Sequence, residues 1–178
     1  LHRERSLAVD NRYGVRLALD HLYALGHRQI GLISGPEENS ECELRLSACR
    51  DWFKAQELAE PLIQVGDFSA ESGRQAAATL LQQHPEITAL FCFNDHMAIG
   101  ALHWLQEHGF DVPGDMAVAG FNDIPAATDV RPTLTSVRLP LRAMGAAALE
   151  LGLDAPAAEP VLRRFQPELI VRDSTAQP

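Results

Sequence analysis

The sequence predicts an α/β fold built on a doubly wound parallel sheet. Five short apolar runs alternate with four segments whose apolar residues recur at helical spacing, and no two-residue hairpin turn joins one run to the next. Parallel strands need such helical crossovers, which are right-handed in almost all proteins. Strict alternation therefore favours a parallel sheet with helices on both faces.

Each predicted strand is a short apolar run that ends at glycine, proline or a polar residue. Runs of this length and composition are typical of buried strands in a parallel sheet. The predicted strands are Ser6–Val9, Gln29–Ser34, Pro61–Gly66, Ile87–Phe93 and Met116–Phe121.

The helices between these strands carry recognisable start and stop signals. Gly26 and Gly109 follow the first and the fourth helix, where glycine commonly ends a helix. Ser40 and Glu43 have the spacing of a capping box for the second helix, and Asp67–Ser69 supplies a turn and a cap for the third. The four crossovers are thus individually supported.

The rhythm changes after Pro132. Leu134–Arg138 is predicted to be extended, Pro140 opens a helix, and Val161–Arg172 is again extended after a Pro- and Ala-rich turn. This tail does not repeat the strand–helix unit.

Composition excludes several classes of function. Fifteen Lys and Arg against 24 Asp and Glu give a net charge of -9, which repels a phosphate backbone, so this chain alone is not expected to bind DNA. Cys42, Cys49 and Cys92 are odd in number and have no paired spacing, which predicts buried thiols in a reducing compartment. We find no signal peptide and no membrane span, and expect a cytoplasmic protein.

Polar and aromatic residues follow the predicted strands at the edge where ligands bind in open α/β sheets. A sugar needs short-range donors and acceptors for its hydroxyls and a flat apolar face for its C–H surface. Helix capping is the alternative explanation for each Asn and Asp taken singly. The four junctions are Gly35 with Pro36, Asp67 with Phe68, Asn94 with Asp95, and Asn122 with Asp123.

Arg45 lies in the second turn of the predicted Ser40 helix, from which its guanidinium could reach over this edge toward a ligand. A solvated surface arginine is the alternative.

Enzyme motifs are missing from the sequence. It contains no GxSxG elbow, no GxxxxGK loop and no GxGxxG run after a strand. The seven histidines lack the spacing that puts two ligands on one helix face, so we expect no metal and no cofactor. A hydrolase or transferase using Asp10, Asp95 or Asp123 is the nearest enzyme alternative, but no nucleophile or base accompanies those residues.

The motifs taken in order resemble one family. The resemblance covers nearly the whole chain and is carried by LGHRQIGLISGP, RLSACRDW, GDFSAESG, NDHMAIGAL, VPGDMAVAGFNDI and PELIVRDST. These runs are similar to the lactose and galactose repressor family. In that family a helix-turn-helix domain binds an operator, and a two-lobed domain resembling periplasmic sugar-binding proteins senses a small effector.

The resemblance implies a domain organisation. Residues 1–140 and 167–178 would form the C-terminal lobe, beginning with its first strand at Ser6–Val9, and residues 141–166 would belong to an N-terminal lobe absent here. The helix-turn-helix domain is also absent from this chain. The Pro140 helix would then lack its partner surface, and we expect it to pack against another chain or to be poorly ordered.

The resemblance also implies a set of ligand-binding residues. Arg45 matches the effector-binding arginine, Phe68 the stacking aromatic and Asn94 a residue that binds hydroxyls. Asn122 stands where many members carry Asp, Glu41 where some carry a small hydroxyl residue, and Leu141 where an aromatic residue is common. The departures at Asn122 and Glu41 predict an effector other than a simple galactoside, and Leu141 predicts a shallower pocket.

Homodimerisation follows from the same resemblance. The helix after Asn94 has more apolar surface than one face needs, so part of it, with the loop from Asp123 to Arg131, is expected to contact a second subunit. Burial in the core is the alternative. The predicted interface residues are Met97, Ala98, Ile99, Leu102 and Val130.

The sequence therefore predicts the effector-sensing and dimerisation part of a transcriptional repressor. Its expected partners are a small-molecule effector, a sugar or sugar derivative, and operator DNA through a domain absent from this chain. A periplasmic sugar-binding protein of the same fold is the second hypothesis, and a doubly wound enzyme is the third.

Overall fold

The computed structural model describes residues 5–153 and 161–176, and its elements largely follow the predicted order. Strands and helices alternate from the start of the described chain to the sixth helix. The elements are β1 (Arg5–Val9), α1 (Asn11–Ala24), β2 (Ile30–Ser34), α2 (Ser40–Ala55), β3 (Leu62–Val65), α3 (Ala70–Gln83), β4 (Ala89–Cys92), α4 (Asp95–Glu107), β5 (Ala117–Asn122), α5 (Ala126–Asp129), β6 (Thr135–Arg138), α6 (Leu141–Leu153), β7 (Val161–Phe165) and β8 (Glu168–Ile170).

A six-stranded sheet in the order β3-β2-β4-β5-β6-β8 forms the main body. Its first five strands are parallel, with Leu32 beside Phe91 and Phe91 beside Ala119, whereas β8 runs antiparallel to β6. Helix α1 packs on α2, and α3 packs on α4, which gives two helical layers. The predicted doubly wound parallel sheet is confirmed.

The direction of the winding reverses between β2 and β4. From β2 the chain crosses to β3 on one side, and from β4 it crosses to β5 on the other, although β2 and β4 are neighbours. Loops leave such a pair in opposite directions, which opens a crevice at the carboxyl ends of the two strands.

Aromatic and aliphatic side chains fill the centre of the sheet. Every residue of β2 and β4 is buried, as expected for strands covered on both faces. Phe91, Phe93 and Phe121 are fully buried, with ring centroids 5.8 Å apart for the first pair and 6.5 Å apart for Phe91 and Phe121. The three cysteines are free, buried thiols, as predicted.

Strand β1 does not belong to the main sheet. It pairs in parallel with β7 in a separate two-stranded sheet, from Arg5 beside Val161 to Val9 beside Phe165. The expectation that Ser6–Val9 is the first strand of the main sheet is therefore wrong. Strand β2 already has β3 and β4 as neighbours, and the partner of β1 lies about 150 residues along the chain, beyond the reach of any local pattern.

Helix α6 packs against β1 of this small sheet rather than against the main body. Its buried side chains are Ala147 and Leu151, and Arg5 donates a hydrogen bond to the Leu151 carbonyl. The helix expected to lack a partner surface thus has one in its own chain. Its remaining face is open, since Leu149 and Leu153 are 65% and 78% exposed.

The cap of α2 differs from the prediction by one residue. Asn39, not Ser40, is the N-cap, and its Oδ1 accepts hydrogen bonds from the backbone N–H groups of Glu41 at 3.0 Å and Cys42 at 3.1 Å. A short amide side chain serves this position as well as a hydroxyl does.

Helix α4 is covered by its own chain. Gly73 of α3 lies against the Met97 backbone, and Gly100 lies against the Ala70 carbonyl, so the two helices approach closely. The four predicted interface residues of α4 are at most 8% exposed in this single chain, and their contact with a second subunit stays a prediction. These residues are Met97, Ala98, Ile99 and Leu102. The fifth predicted interface residue, Val130, is half-buried beside α5.

No helix among the described residues is long and apolar enough to cross a membrane.

Candidate functional site

A concavity of about 290 Å³ lies at the carboxyl ends of β2, β4 and β5. It is the crevice where the winding of the sheet reverses, and five of the six predicted ligand-binding residues meet there. The lining residues are Asn39, Glu41, Cys42, Arg45, Phe68, Phe93, Asn94 and Asn122.

Arg45 is the buried cation of this site. Its side chain is 7% exposed, so the alternative of a solvated surface arginine is wrong. The Nε atom donates to Asn11 Oδ1 at 2.8 Å, and Nη1 donates to the Phe93 carbonyl at 2.5 Å. The guanidinium carbon lies 3.8 Å from the ring centroid of Phe121. Burial lowers the pKa of Arg45, because the charged form loses water.

Asn11 joins the two charged side chains of the site, and the sequence does not predict it as a site residue. It is buried at the start of α1, accepts from Arg45 through Oδ1, and donates through Nδ2 to Glu41 Oε2 at 2.5 Å. A sequence signal exists, since Asn11 follows the first predicted strand. Its contact with Arg45 depends on where that strand lies in the fold, which a local pattern does not record.

Asn94 is both a helix cap and a wall of the concavity. Its Oδ1 accepts from the Met97 backbone N–H at 2.8 Å, and its Nδ2 donates to the Phe68 carbonyl at 2.9 Å. The capping explanation is thus correct for this residue. A side-chain amide has two donor hydrogens and two acceptor lone pairs, so each polar atom keeps one position for a ligand.

Phe68 reaches the site through an unusual backbone conformation. Its φ of +72° lies in the left-handed region, which a phenylalanine adopts only when its surroundings hold it there. The Asn94 amide bonds its carbonyl, and its ring packs on Gly35, where an added Cβ would overlap the ring. The fold therefore fixes one aromatic face at the edge of the concavity.

The turn after β5 brings Asn122 to the opposite wall. Asn122 and Asp123 have φ values of +108° and +57°. The Asp123 carboxylate accepts from Arg138 Nε at 2.6 Å, and Arg172 Nη2 lies 2.7 Å from its other oxygen. These ion pairs tie the turn to β6 and to the segment after β8.

Leu141 is the predicted residue that the structure places elsewhere. It is 60% exposed and lines a neighbouring concavity of about 630 Å³ between the β5–α5 turn and α6. Asn122 lines both concavities. The two are adjacent, but Leu141 does not share a wall with Arg45.

The side chains lining the site suit the binding of a polar ligand better than hydrolysis. Arg45, Glu41 and three Asn side chains supply donors and acceptors, and Phe68 supplies an apolar face. Burial raises the pKa of the Cys42 thiol, so it is no ready nucleophile. Within residues 5–153 and 161–176, no group of three His, Cys, Asp or Glu side chains is arranged to hold a metal ion.

Comparison with known proteins agrees with this geometry. A family model described as a periplasmic binding protein-like domain matches residues 19–175. The HTH-type transcriptional regulator GalR of Escherichia coli is 36% identical over 179 residues, which cover 98% of this chain and 52% of GalR.

Two solved structures extend the comparison. The transcriptional regulator CelR in complex with cellobiose superposes with a TM-score of 0.91 at 33% identity, over 97% of this chain and 54% of CelR. The lac repressor dimer bound to operator and the anti-inducer ONPF superposes with a TM-score of 0.90 at 30% identity, over 97% of this chain and 53% of that one.

The fold is that of a periplasmic binding protein-like domain. The chain belongs to this family, in the group of the lactose and galactose repressors. It spans about half the length of the curated relatives that it matches.

Proposed function

We propose that this chain is the effector-sensing part of a sugar-responsive transcriptional repressor. The effector would bind in the Arg45 concavity, between the main sheet and a second lobe. Its occupancy would favour one angle between the lobes and so change the affinity for operator DNA. The DNA-binding domain, a homodimer and a cytoplasmic location are parts of this proposal.

The buried Arg45 is the observation that supports it best. Taking a guanidinium out of water is costly unless its hydrogen bonds are satisfied, and Asn11, Phe93 and Phe121 satisfy only part of this group. Five N–H donors in a fixed fork leave several that a hydroxyl-rich ligand can fill. An aromatic face and three amides around such a fork match a sugar ring.

The named relatives favour a disaccharide or a simple sugar as effector. CelR was solved with cellobiose, and another regulator of this group, from Arthrobacter, was solved with lactose. Glu41 and Asn122 add one carboxylate and one amide to the lining of the Arg45 concavity. These two groups would determine which of such sugars this chain prefers.

Residues 141–166 are proposed to belong to the second lobe. The separate β1–β7 sheet and α6 support this assignment, because they form a small unit beside the main sheet. The same observation favours adding β1 to that lobe. Half a cleft should bind weakly, so tests need the full-length protein.

A sugar panel with the full-length protein tests the proposal. Cellobiose, lactose, ribose and galactose are added separately, and binding is measured by calorimetry and thermal shift. We expect one or more to bind and to change affinity for an operator selected from random DNA.

Arg45→Ala is expected to abolish the sugar response while operator binding persists, because only the effector loses its partner. Arg50→Ala is the matched control, since Arg50 is exposed on the same helix and does not line this concavity. Turnover of a sugar, or an unchanged response in Arg45→Ala, would contradict the proposal. A secretion signal in place of an upstream helix-turn-helix would favour a periplasmic binding protein instead.

A further inference from the structure

Asp95 is a fully buried carboxylate directly behind the effector site. It is 0% exposed at the start of α4. Its Oδ1 accepts from the Ser136 hydroxyl at 2.5 Å, and its Oδ2 accepts from the Ile124 backbone N–H at 2.8 Å. Burying a carboxylate costs free energy that burying an apolar side chain does not. The presence of Asp95 at this position therefore indicates a function that an apolar side chain could not have.

Both hydrogen bonds lead to the turn that follows β5. Ser136 Oγ accepts from the Asp123 backbone N–H at 3.1 Å, and Asp95 itself binds the next N–H, that of Ile124. Ser136 and Asp95 thus accept hydrogen bonds from two successive backbone amides of the turn.

The turn needs such support because its backbone is unfavourable. Asn122 and Asp123 both have positive φ, a conformation that residues other than glycine keep only where the surroundings compensate. Asn122 lines the same concavity as Arg45 and Asn94. The support of the turn therefore decides where an effector-facing side chain lies.

The sheet leaves a space shaped for this carboxylate. A Cβ at Gly120 would overlap Asp95 Oδ1, so the glycine in β5 is what allows the carboxylate to approach the turn. Its neighbours are Cys92 from β4, Ser136 from β6 and the Asp123 carboxylate, which Arg138 and Arg172 hold in turn.

We propose that Asp95 is a positioning residue of the effector site, holding the turn after β5 so that Asn122 faces the ligand. The inference rests on the proposed function, since it assigns Asn122 to effector binding.

The proton on Asp95 controls this support. Burial raises the pKa of Asp95 to about 6, against hydrogen bonds from Ser136 and Ile124 that lower it. The ionised form accepts both hydrogen bonds. Protonation turns one oxygen into a donor, so both bonds cannot persist unchanged. Because the hydrogen bonds from Ser136 and Ile124 favour the ionised form, they weaken on protonation, and the turn should loosen as pH falls through about 6 while Asp95 stays buried.

Hydrogen exchange of the full-length protein tests the turn without any ligand. Asp95→Ala should raise the exchange rates of the backbone amides of residues 122–124 at least about tenfold relative to the wild type, since it removes the charged acceptor of the Ile124 N–H. Asp95→Asn keeps an acceptor for the Ile124 N–H but cannot titrate, so its exchange should lie between the two. The protection factor of these amides in the wild type, divided by that in Asp95→Asn at the same pH, should be lower at pH 5 than at pH 7.

Calorimetry with cellobiose, lactose, ribose and galactose supplies the binding readout. The affinity for a sugar that binds should be about tenfold weaker in Asp95→Ala than in the wild type. When the pH is lowered from 7 to 5, the affinity of the wild type should weaken, whereas that of Asp95→Asn should not. Asp129→Asn, an exposed aspartate of α5, is the matched control and should change neither measurement.

The outcomes separate the two proposals. Unchanged exchange in Asp95→Ala, or no change in the protection ratio with pH, overturns the positioning role. If the exchange results hold and no sugar binds the wild type, the proposed function fails instead. If Asp95→Ala does not fold, Asp95→Asn and the wild-type pH series still decide the question.

Discussion

At the residue scale, Asn11 connects the site to the rest of the molecule. It stands between β1 in the small sheet and α1 in the main body, and its side chain holds both Arg45 and Glu41. One amide thereby fixes the orientation of the two charged groups.

Removing that amide should destabilise the protein. In Asn11→Ala the buried Nε–H of Arg45 loses its acceptor, and an unsatisfied buried donor on a charged group costs about 1 to 3 kcal/mol. Urea unfolding of the full-length protein measures the change in the free energy of unfolding. Asn39→Ala, which removes the N-cap of α2, is expected to cost about 1 kcal/mol. A stability equal to that of the wild type in Asn11→Ala would contradict the bonding described.

At the element scale, the contact between α3 and α4 is decided by two glycines. Their missing side chains let the helix backbones approach closely, and the apolar residues of α4 that were predicted for a dimer are at most 8% exposed in this chain. Small residues at helix crossings allow contacts that any larger side chain would block.

Gly100→Ala should therefore destabilise the fold. A Cβ there would overlap the Ala70 carbonyl, which is backbone and cannot turn aside, so we expect a loss of about 1 to 3 kcal/mol. Gly145→Ala in α6 is the matched control. Nothing lies within 4 Å of its Cβ position, so it should gain about 0.5 to 1 kcal/mol from helix propensity. Thermal unfolding would show opposite shifts in Tm; equal shifts would refute the close approach.

At the scale of the whole molecule, the described residues form a main body on the six-stranded sheet and a small unit on the β1–β7 sheet. The six-stranded sheet is covered on both faces, whereas the β1–β7 sheet has two strands, one helix and exposed Leu149, Leu153 and Leu162. Two-stranded sheets are marginally stable in water by themselves. The open apolar face is the surface on which the rest of the proposed second lobe would build.

Local stability should differ between the two parts. Backbone amides of β1 and β7 are expected to exchange at least about tenfold faster in this 178-residue chain than in the full-length protein, because the additional lobe would bury them. Amides of β4 provide the internal control and should be equally protected in both. Equal exchange of β1 and β7 in the two proteins would show that the small unit needs no further cover.

The sequence by itself determined the local elements and the chemistry available at the sheet edge. Local sequence patterns depend only on neighbours within a few residues, and the strand–helix alternation and glycine stops among them predicted the doubly wound sheet. The sequence also indicated Arg45, Phe68, Asn94 and Asn122 as residues near the sheet edge, and all four line the concavity. Helix caps depend on equally local bonds, and there the error was a single residue.

Tertiary structure alone decided the partners of each group. Strand β1 pairs with β7, the apolar face of α4 meets α3 rather than solvent, and Arg45 is buried by Asn11 and Phe121 from distant parts of the chain. Periodicity records which face of an element is apolar, but not what covers that face. That is why most residues lining the concavity could be predicted, whereas the hydrogen bonds that Asn11 and Asp95 make to distant parts of the chain emerged only from the folded structure.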